Sequence, residues 1–351
     1  MTQVQRTLPR KVAFARDALV SYIHDRGLKP GDRLPSYATL REVLGLGSQT
    51  IAVAISTLVE SEVLEVRNKV GIFVKNPAGG HLAGRTIAVA VRPLDGSAYA
   101  ATLASFIQKL LSEHNCQCLT FYRNSNSSST GEANLEDFTG LEQVIREKEC
   151  DGLISLCPLS KETQKFLKKL GIVSCFIGDD DENNLDNCVL IEVKHFILEA
   201  TKELEASGCQ NIAQICVTQE QLKKRQFGLN SLIGSSYNGG AKIADELLNL
   251  TEDLRPDGLV SDDDTVVNGL LARLIEQQLP EVKYLPRVAT IVHKELEEIY
   301  PSNKMILFEQ SIEEYAKCAV SLLLSILQGK EKEKNSNRIV YRFKLLSNAL
   351  I

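Results

Sequence analysis

The chain has 351 residues, 44% hydrophobic and 24% charged, with a formal net charge of −5. That is the balance of an ordinary globular protein with room for two or three domains at roughly 150 residues each. No apolar run reaches the roughly 18 residues of a membrane span, and the N-terminal MTQVQRTLPRK lacks the apolar core of a secretion signal, so a cytoplasmic protein is expected.

The first predicted helix is Val12–Asp25, with Val12, Ala15, Leu19, Tyr22 and Ile23 near one face and Gly27 as its stop. Pro30-Gly31 forms a turn, and Ser36 is a good N-cap for a second helix, Tyr37–Leu44, which Gly45 ends. A third helix runs from Ser48 to about Ser61, its core face marked by Ile51, Ile55 and Leu58. Val63–Val66 and Gly71–Val74 read as two short strands. This order is that of a winged helix-turn-helix, whose third helix enters a DNA major groove. Residues 1–75 hold eleven bases against seven acids, a charge of +4, which leaves −9 for the remainder. A small basic module on an acidic body suits nucleic-acid binding at one end.

Asn76–Arg85 (NPAGGHLAGR) reads as a linker. Beyond it, apolar strands alternate with amphipathic helices, the pattern of parallel sheets covered on both faces. The predicted series is Thr86–Val91 strand, Tyr99–His114 helix, Cys118–Tyr122 strand, Leu135–Glu149 helix, Gly152–Leu156 strand, Glu162–Leu170 helix and Val173–Ile177 strand. It resumes with Val189–Val193 strand, His195–Ser207 helix, Ile212–Val217 strand, a helix beginning over Gln226–Ile233, Gly258–Val260 strand and Thr265–Gln278 helix. Strands Val288–Val292 and Lys304–Phe308, helix Ile312–Leu327 and a final strand Arg338–Leu345 complete it. The expected fold is therefore α/β: an N-terminal winged helix-turn-helix (1–75), a linker (76–85) and a two-lobed domain with parallel sheets (86–351). Ser125–Thr130 is a loop by composition. Acids following strand ends, Asp179–Asp181 and Asp262–Asp264, lie where open α/β sheets bind ligands or cap helices.

The nine cysteines lie from Cys116 onward with no CxxC pair, which fits reduced thiols. The Cys116-x-Cys118 pair reads as buried packing rather than a metal site. Five scattered histidines give no pair at metal spacing, and the chain lacks a P-loop, GxGxxG, HExxH or GxSxG. No catalytic residues, metal or cofactor are expected.

The stretch from Leu28 to Val74 resembles the GntR-type winged-helix domain through Gly31, Leu34, Pro35, Ser36, Leu40, Leu44, Gly45, Thr50, Ile51, Ala54, Ile55, Leu58, Gly71, Phe73 and Val74. It departs where that family carries arginine: Ala38 on the second helix, Ser48 and Ala52 on the third. The resemblance implies DNA contacts from Ser36, Ser48, Gln49 and Thr50, with Arg33, Arg41, Arg67 and Lys69 supplying phosphate charge. From Thr86 onward, DGLI (151–154), ATKELEASGCQNIAQI (200–215), RQFGL (225–229), PDGLVSDDDTVVNGLLARL (256–274) and LPRVATIV (285–292) resemble the LacI-type effector domain, a periplasmic-binding-protein-like fold. The combined architecture is that of arabinose-repressor-like regulators. By that resemblance Arg225 and Asp264 contact the ligand, and Asp95, Ser97, Tyr99 and Glu192 line the pocket. Phe176 and His293 fall at strand ends facing it. An arginine with a carboxylate suits a sugar, donating to and accepting from its hydroxyls. The expected protein is a homodimeric repressor on a palindromic double-stranded operator with a small carbohydrate effector. The rival readings are a non-regulatory cytoplasmic sugar-binding protein and a regulator of a non-sugar ligand.

Overall fold

A computed structural model describes residues 10–75, 82, 84–92, 98–124, 132–179, 187–216, 230–234, 236–296, 305–328, 337–341 and 343–346. The N-terminal module consists of helices α1 (Arg10–Asp25), α2 (Tyr37–Leu44) and α3 (Ser48–Glu60), followed by strands β1 (Leu64–Arg67) and β2 (Gly71–Val74). Its core is the set of apolar positions that recur at helical spacing: Val12, Ala15, Leu19, Val20 and Ile23 of α1 meet Leu40, Ile51, Ala54, Ile55 and Leu58. Ser36 accepts the Thr39 N–H to start α2, and Gly45, in the left-handed region at φ 65°, ends it. The chain then turns so that α2 and α3 meet at 107°, within the range of a helix-turn-helix. β1 and β2 pair antiparallel. Residues before α2 join them: Leu34 N–H donates to Ile72 O, and Val74 N–H to Asp32 O.

The body contains two six-stranded sheets. The first, in order β13-β7-β6-β5-β3-β4, is wholly parallel and comprises β3 (Thr86–Val91), β4 (Gln117–Tyr122), β5 (Gly152–Ser155), β6 (Val173–Asp179), β7 (Asn187–Ile191) and β13 (Asn337–Tyr341). The second, in order β14-β12-β11-β10-β8-β9, comprises β8 (Ile212–Cys216), β9 (Asn230–Ile233), β10 (Gly258–Ser261), β11 (Arg287–His293), β12 (Met305–Gln310) and β14 (Lys344–Leu345). Only β14 runs antiparallel to its neighbour. β3, β5, β8 and β10 are buried at every position, as strands covered on both faces must be.

The chain passes between the lobes three times. After β7, helix α7 (Val193–Ala206) packs on the second sheet through Phe196, Ile197, Ala200 and Leu204. After β12, helix α10 (Ile312–Leu327) packs on the first sheet beside α4 (Ala98–Glu113). The third passage separates β13 from β14, so the expected strand Arg338–Leu345 is two strands in different sheets.

Other expectations need correction. Asn230–Ile233, expected within a helix, is β9, parallel to β8; sheet pairing outweighs the local helical pattern, and residues 217–229 lie outside the described set. The expected helix Leu135–Glu149 is a 3₁₀ turn at Leu135–Asp137 and a short α5 (Leu141–Arg146), parted by Gly140 at φ 84°. One helix went unforeseen: α8 (Ser236–Asn249), whose Gly239-Gly240 pair disfavours helix by propensity. Gly240 sits where α8 crosses α9 (Asp264–Gln277), while Gly239 packs against Gly234. A Cβ on Gly240 would lie 1.9 Å from Val266 O, and one on Gly269 1.9 Å from Tyr237 O. The two backbones touch because neither carries a side chain there.

Gly269→Ala and Gly240→Ala should each destabilise the body by about 1–3 kcal/mol, the cost of overpacking a rigid contact. Urea unfolding of the full chain checks this; unchanged midpoints would mean that the helices separate freely.

Candidate DNA interface and effector site

At the head, α3 presents Ser48, Gln49, Val53 and Ser56 to solvent and half-exposes Thr50 and Ala52. Ser48, Gln49 and Thr50 occupy its first turn, where Gly47 caps without a side chain. Ser36 is exposed, although its hydroxyl caps α2 and lies 3.0 Å from Thr39 Oγ1. Arg41 is exposed on the last turn of α2. Arg33 crosses the wing, forming a bridge to Phe73. Its guanidinium passes so near Gly71 (φ 145°) that a Cβ there would lie 2.6 Å from Arg33 Nε. Lys69 stands at the wing tip at φ 61°. Arg67 is bound within the wing: its guanidinium stacks 4.3 Å from the Phe73 ring and pairs with Glu65. The charge of Arg67 is therefore already shared, while Arg33, Arg41 and Lys69 are exposed cations on the turn before α2, on α2 and at the wing tip. Ala38, Ser48 and Ala52 leave that face without arginine.

In the body, the carboxyl ends of the strands bring together groups from both lobes. Asp264 opens α9 just after β10, and its Oδ2 lies 3.5 Å from Nδ1 of His293 at the end of β11. Tyr99, at the start of α4 in the other lobe, stacks on His293 with ring centroids 4.9 Å apart. Gln310 stands in register beside His293 on β12; its Nε2 is buried and has no hydrogen-bond partner among the described residues. A buried donor without an acceptor is costly, and a ligand oxygen reaching it would supply one. Sequence reasoning did not single out Gln310; its only signal was a polar pair ending the apolar strand MILFEQ.

Asp264 can face His293 because its neighbour does the capping. Asp263 accepts from Thr265 and Val266 N–H at 2.9 and 3.1 Å. Burial pushes the Asp263 carboxyl up to about 6 against the hydrogen bond from Val266, with the nearby Asp262 and Asp264 charges adding to the rise. Glu192 occupies the first interlobe passage as the residue before α7, with no side-chain cap bond. Phe176 on β6 clusters with Cys188 and Leu190. Asp95, Ser97 and Arg225 lie outside the described residues. Thus Tyr99 and Asp264 are brought together, His293 joins them, and Glu192 sits at the hinge. Among the described residues no three His, Cys, Asp or Glu side chains are placed to hold a metal ion. No single described helix is long and apolar enough to cross a membrane. The nine cysteines, all among the described residues, are thiols rather than disulfides. Burial pushes the Cys116 thiol up to about 12, and its Sγ lies 3.3 Å from Leu82 O.

Residues 11–74 match the model for bacterial regulatory proteins of the gntR family. The body is similar to a LacI family transcriptional regulator from Enterococcus faecium solved with bound ribose (22% identity, TM-score 0.56, covering 76% of this chain and 100% of that one). It is also similar to the Cra transcriptional dual regulator from Pseudomonas putida in complex with fructose 1-phosphate (19%, 0.60, 74% and 98%). A third likeness is the lac repressor dimer bound to operator and the anti-inducer ONPF (14%, 0.58, 75% and 93%). No curated protein matches the chain. The head is a GntR-type helix-turn-helix domain, and the body has the fold of LacI-type regulators.

Because the Asp263 pKa is raised above the usual 3.8, its ionisation opposes folding. Its favourable contribution is complete below the unfolded value and is lost as pH rises through about 6. Asp263→Asn should therefore remove a decline in stability of up to about 2–3 kcal/mol between pH 4 and 7. Unfolding curves of both chains across that range check it; parallel pH profiles would refute the assignment.

Proposed function

We propose that this DNA-binding transcriptional regulator is a cytoplasmic, homodimeric repressor whose operator affinity is set by a small carbohydrate held between the two lobes. The observation that carries the reading is the Tyr99–His293–Asp264 cluster, contributed by both lobes at the strand ends, in a chain whose other end is a helix-turn-helix with exposed Arg33, Arg41 and Lys69. Asp264 accepts from sugar hydroxyls, the Gln310 amide donates to a ring or hydroxyl oxygen, and the Tyr99 ring covers an apolar sugar face. Arg225 supplies a further donor, and Asp95, Ser97 and Glu192 complete the polar lining. A ligand that bonds both lobes favours one degree of closure over another, and that preference is the free energy available to move the heads. The ribose and fructose 1-phosphate held by similar bodies, and the operator-bound dimer among them, support the ligand class and the assembly. Two heads related by a twofold axis require a palindromic site.

Ser36, Ser48, Gln49 and Thr50 meet the duplex, with Arg33, Arg41, Arg67 and Lys69 on the phosphates. Replacing an unshared cation should lower the dependence of log affinity on log salt by about 0.9 for each phosphate left without its cation. We expect Arg41→Ala to do so and Arg67→Ala, already paired with Glu65, to do so less; equal slopes for both would contradict the wing geometry.

The functional test is a gel shift of the DNA upstream of the gene by the full chain, repeated with a panel of pentoses, hexoses and their phosphates. One of these should release the fragment, and Asp264→Ala or Arg225→Ala should abolish that response while sparing DNA binding. Failure to bind any neighbouring promoter defeats the regulator reading. Binding without a response to any sugar defeats the carbohydrate part alone.

A further inference from the structure

The outward face of α3 carries a chemical bias that determines which base pairs it can read. At 100° per residue, Gln49, Ala52, Val53 and Ser56 fall within an arc of about 100°, opposite the buried Ile51, Ala54, Ile55 and Leu58. Gln49, Val53 and Ser56 are exposed, and Ala52 is half-buried. Val53 is 41% exposed. A β-branched residue in that position helps neither helix propensity nor solvation. The neighbouring Thr57 does not compete for the groove, since its hydroxyl donates to Val53 O at 3.0 Å. From Ser48 to Val59 the helix contains no arginine, lysine, aspartate or glutamate.

Base edges in the major groove call for particular partners. Guanine O6 and N7 are read chiefly by arginine or lysine, and the cytosine amino group by a carboxylate. Adenine N6 and N7 are read by glutamine or asparagine, and the thymine methyl by small apolar groups. From Ser48 to Val59 this helix lacks the charged partners of a G·C pair and holds both partners of an A·T pair, while its serines and threonines can bond to either. The exposed cations Arg33, Arg41 and Lys69 lie off the helix, on the turn before α2, on α2 and on the wing.

We propose that the head recognises an A·T half-site by direct readout, with Gln49 bonded to an adenine edge and the Ala52–Val53 methyl surface packed against thymine methyl groups. The proposal rests on the reading of the chain as a DNA-binding regulator and specifies the sequence class of its operator. Val53 is a specificity-determining residue that acts through its methyl groups, without charge or hydrogen bonds.

The test begins with selection of the full-length protein from a random duplex pool, followed by affinity measurements on the selected site and on a site-free duplex. The selected half-site should contain a run of A·T pairs where the helix lies. Replacing the contacted thymines with uracil removes only the methyl group and should weaken binding about 3- to 5-fold for each. In Val53→Ala that penalty should largely vanish, while affinity for the site-free duplex stays unchanged. Gln49→Ala should lose about 5- to 100-fold of discrimination at one A·T pair. Both positions are exposed, so the variants should keep the wild-type melting temperature, which is measured alongside. Selection of a G·C core overturns the proposal. So does an A·T core whose uracil penalty persists in Val53→Ala, since the preference would then come from DNA shape. Salt-dependent binding to the site-free duplex tests the underlying regulator reading separately; its absence defeats that reading and the proposal with it.

Discussion

Glu295 lies just beyond β11 in the second lobe, yet its carboxylate accepts from Ser311 Oγ and from the Ile312 and Glu313 N–H groups at the start of α10, a helix that belongs to the first. Burial works against that charge, but these hydrogen bonds outweigh it and hold the carboxyl below its usual range. One side chain thus satisfies the free amides of a helix start and ties the lobes at the middle passage of a three-stranded hinge. Tyr99 meets His293 near this tether. In the proposed reading, a ligand that bonds Tyr99, His293 and Asp264 acts close to this tether between the lobes.

The cleft and the head divide the chemical work by charge. Acids dominate the body, and the cluster at its strand ends combines a carboxylate, an imidazole, a phenol and a buried amide, which in the proposed reading exchange hydrogen bonds with a neutral polyol. The head keeps its cations at the edges of an uncharged reading helix. In the proposed reading, affinity for phosphates and choice of base are carried by different residues, so each can change without the other.

Much of this was legible in the sequence because it depends on local chemistry. Ser36 and Gly45 bound α2, and Gly71 permits the wing turn, each for a reason visible within a few residues. Asp264 was singled out because PDGLVSDDDTVVNGLLARL resembles a known pattern. What stayed hidden depends on distant partners. Gly240 of α8 argues against a helix until α9 is seen to need the room. The final strand looked continuous because nothing in RIVYRFKLL signals that its halves pair with different sheets. Gln310 looked like any polar strand end until its neighbour proved to be His293. Arg225, Asp95 and Ser97 fall outside the described residues, so their part of the site rests on the resemblance.

The join between head and body has its own lock. Arg16 of α1 is buried and paired with Asp17. A Cβ on Gly84 would lie 3.0 Å from its Nη1 and 3.2 Å from Thr57 Cγ2. The Gly84 N–H is in turn held by Asn115 O at the end of α4. Head, connecting segment and body thus interlock at one glycine, which limits modularity: the two halves are not freely exchangeable parts on a string. A head borrowed from another regulator would bring a different side chain to the Arg16 position and meet Gly84 with the wrong shape. A working chimera would have to transplant α1 together with residues 82–85.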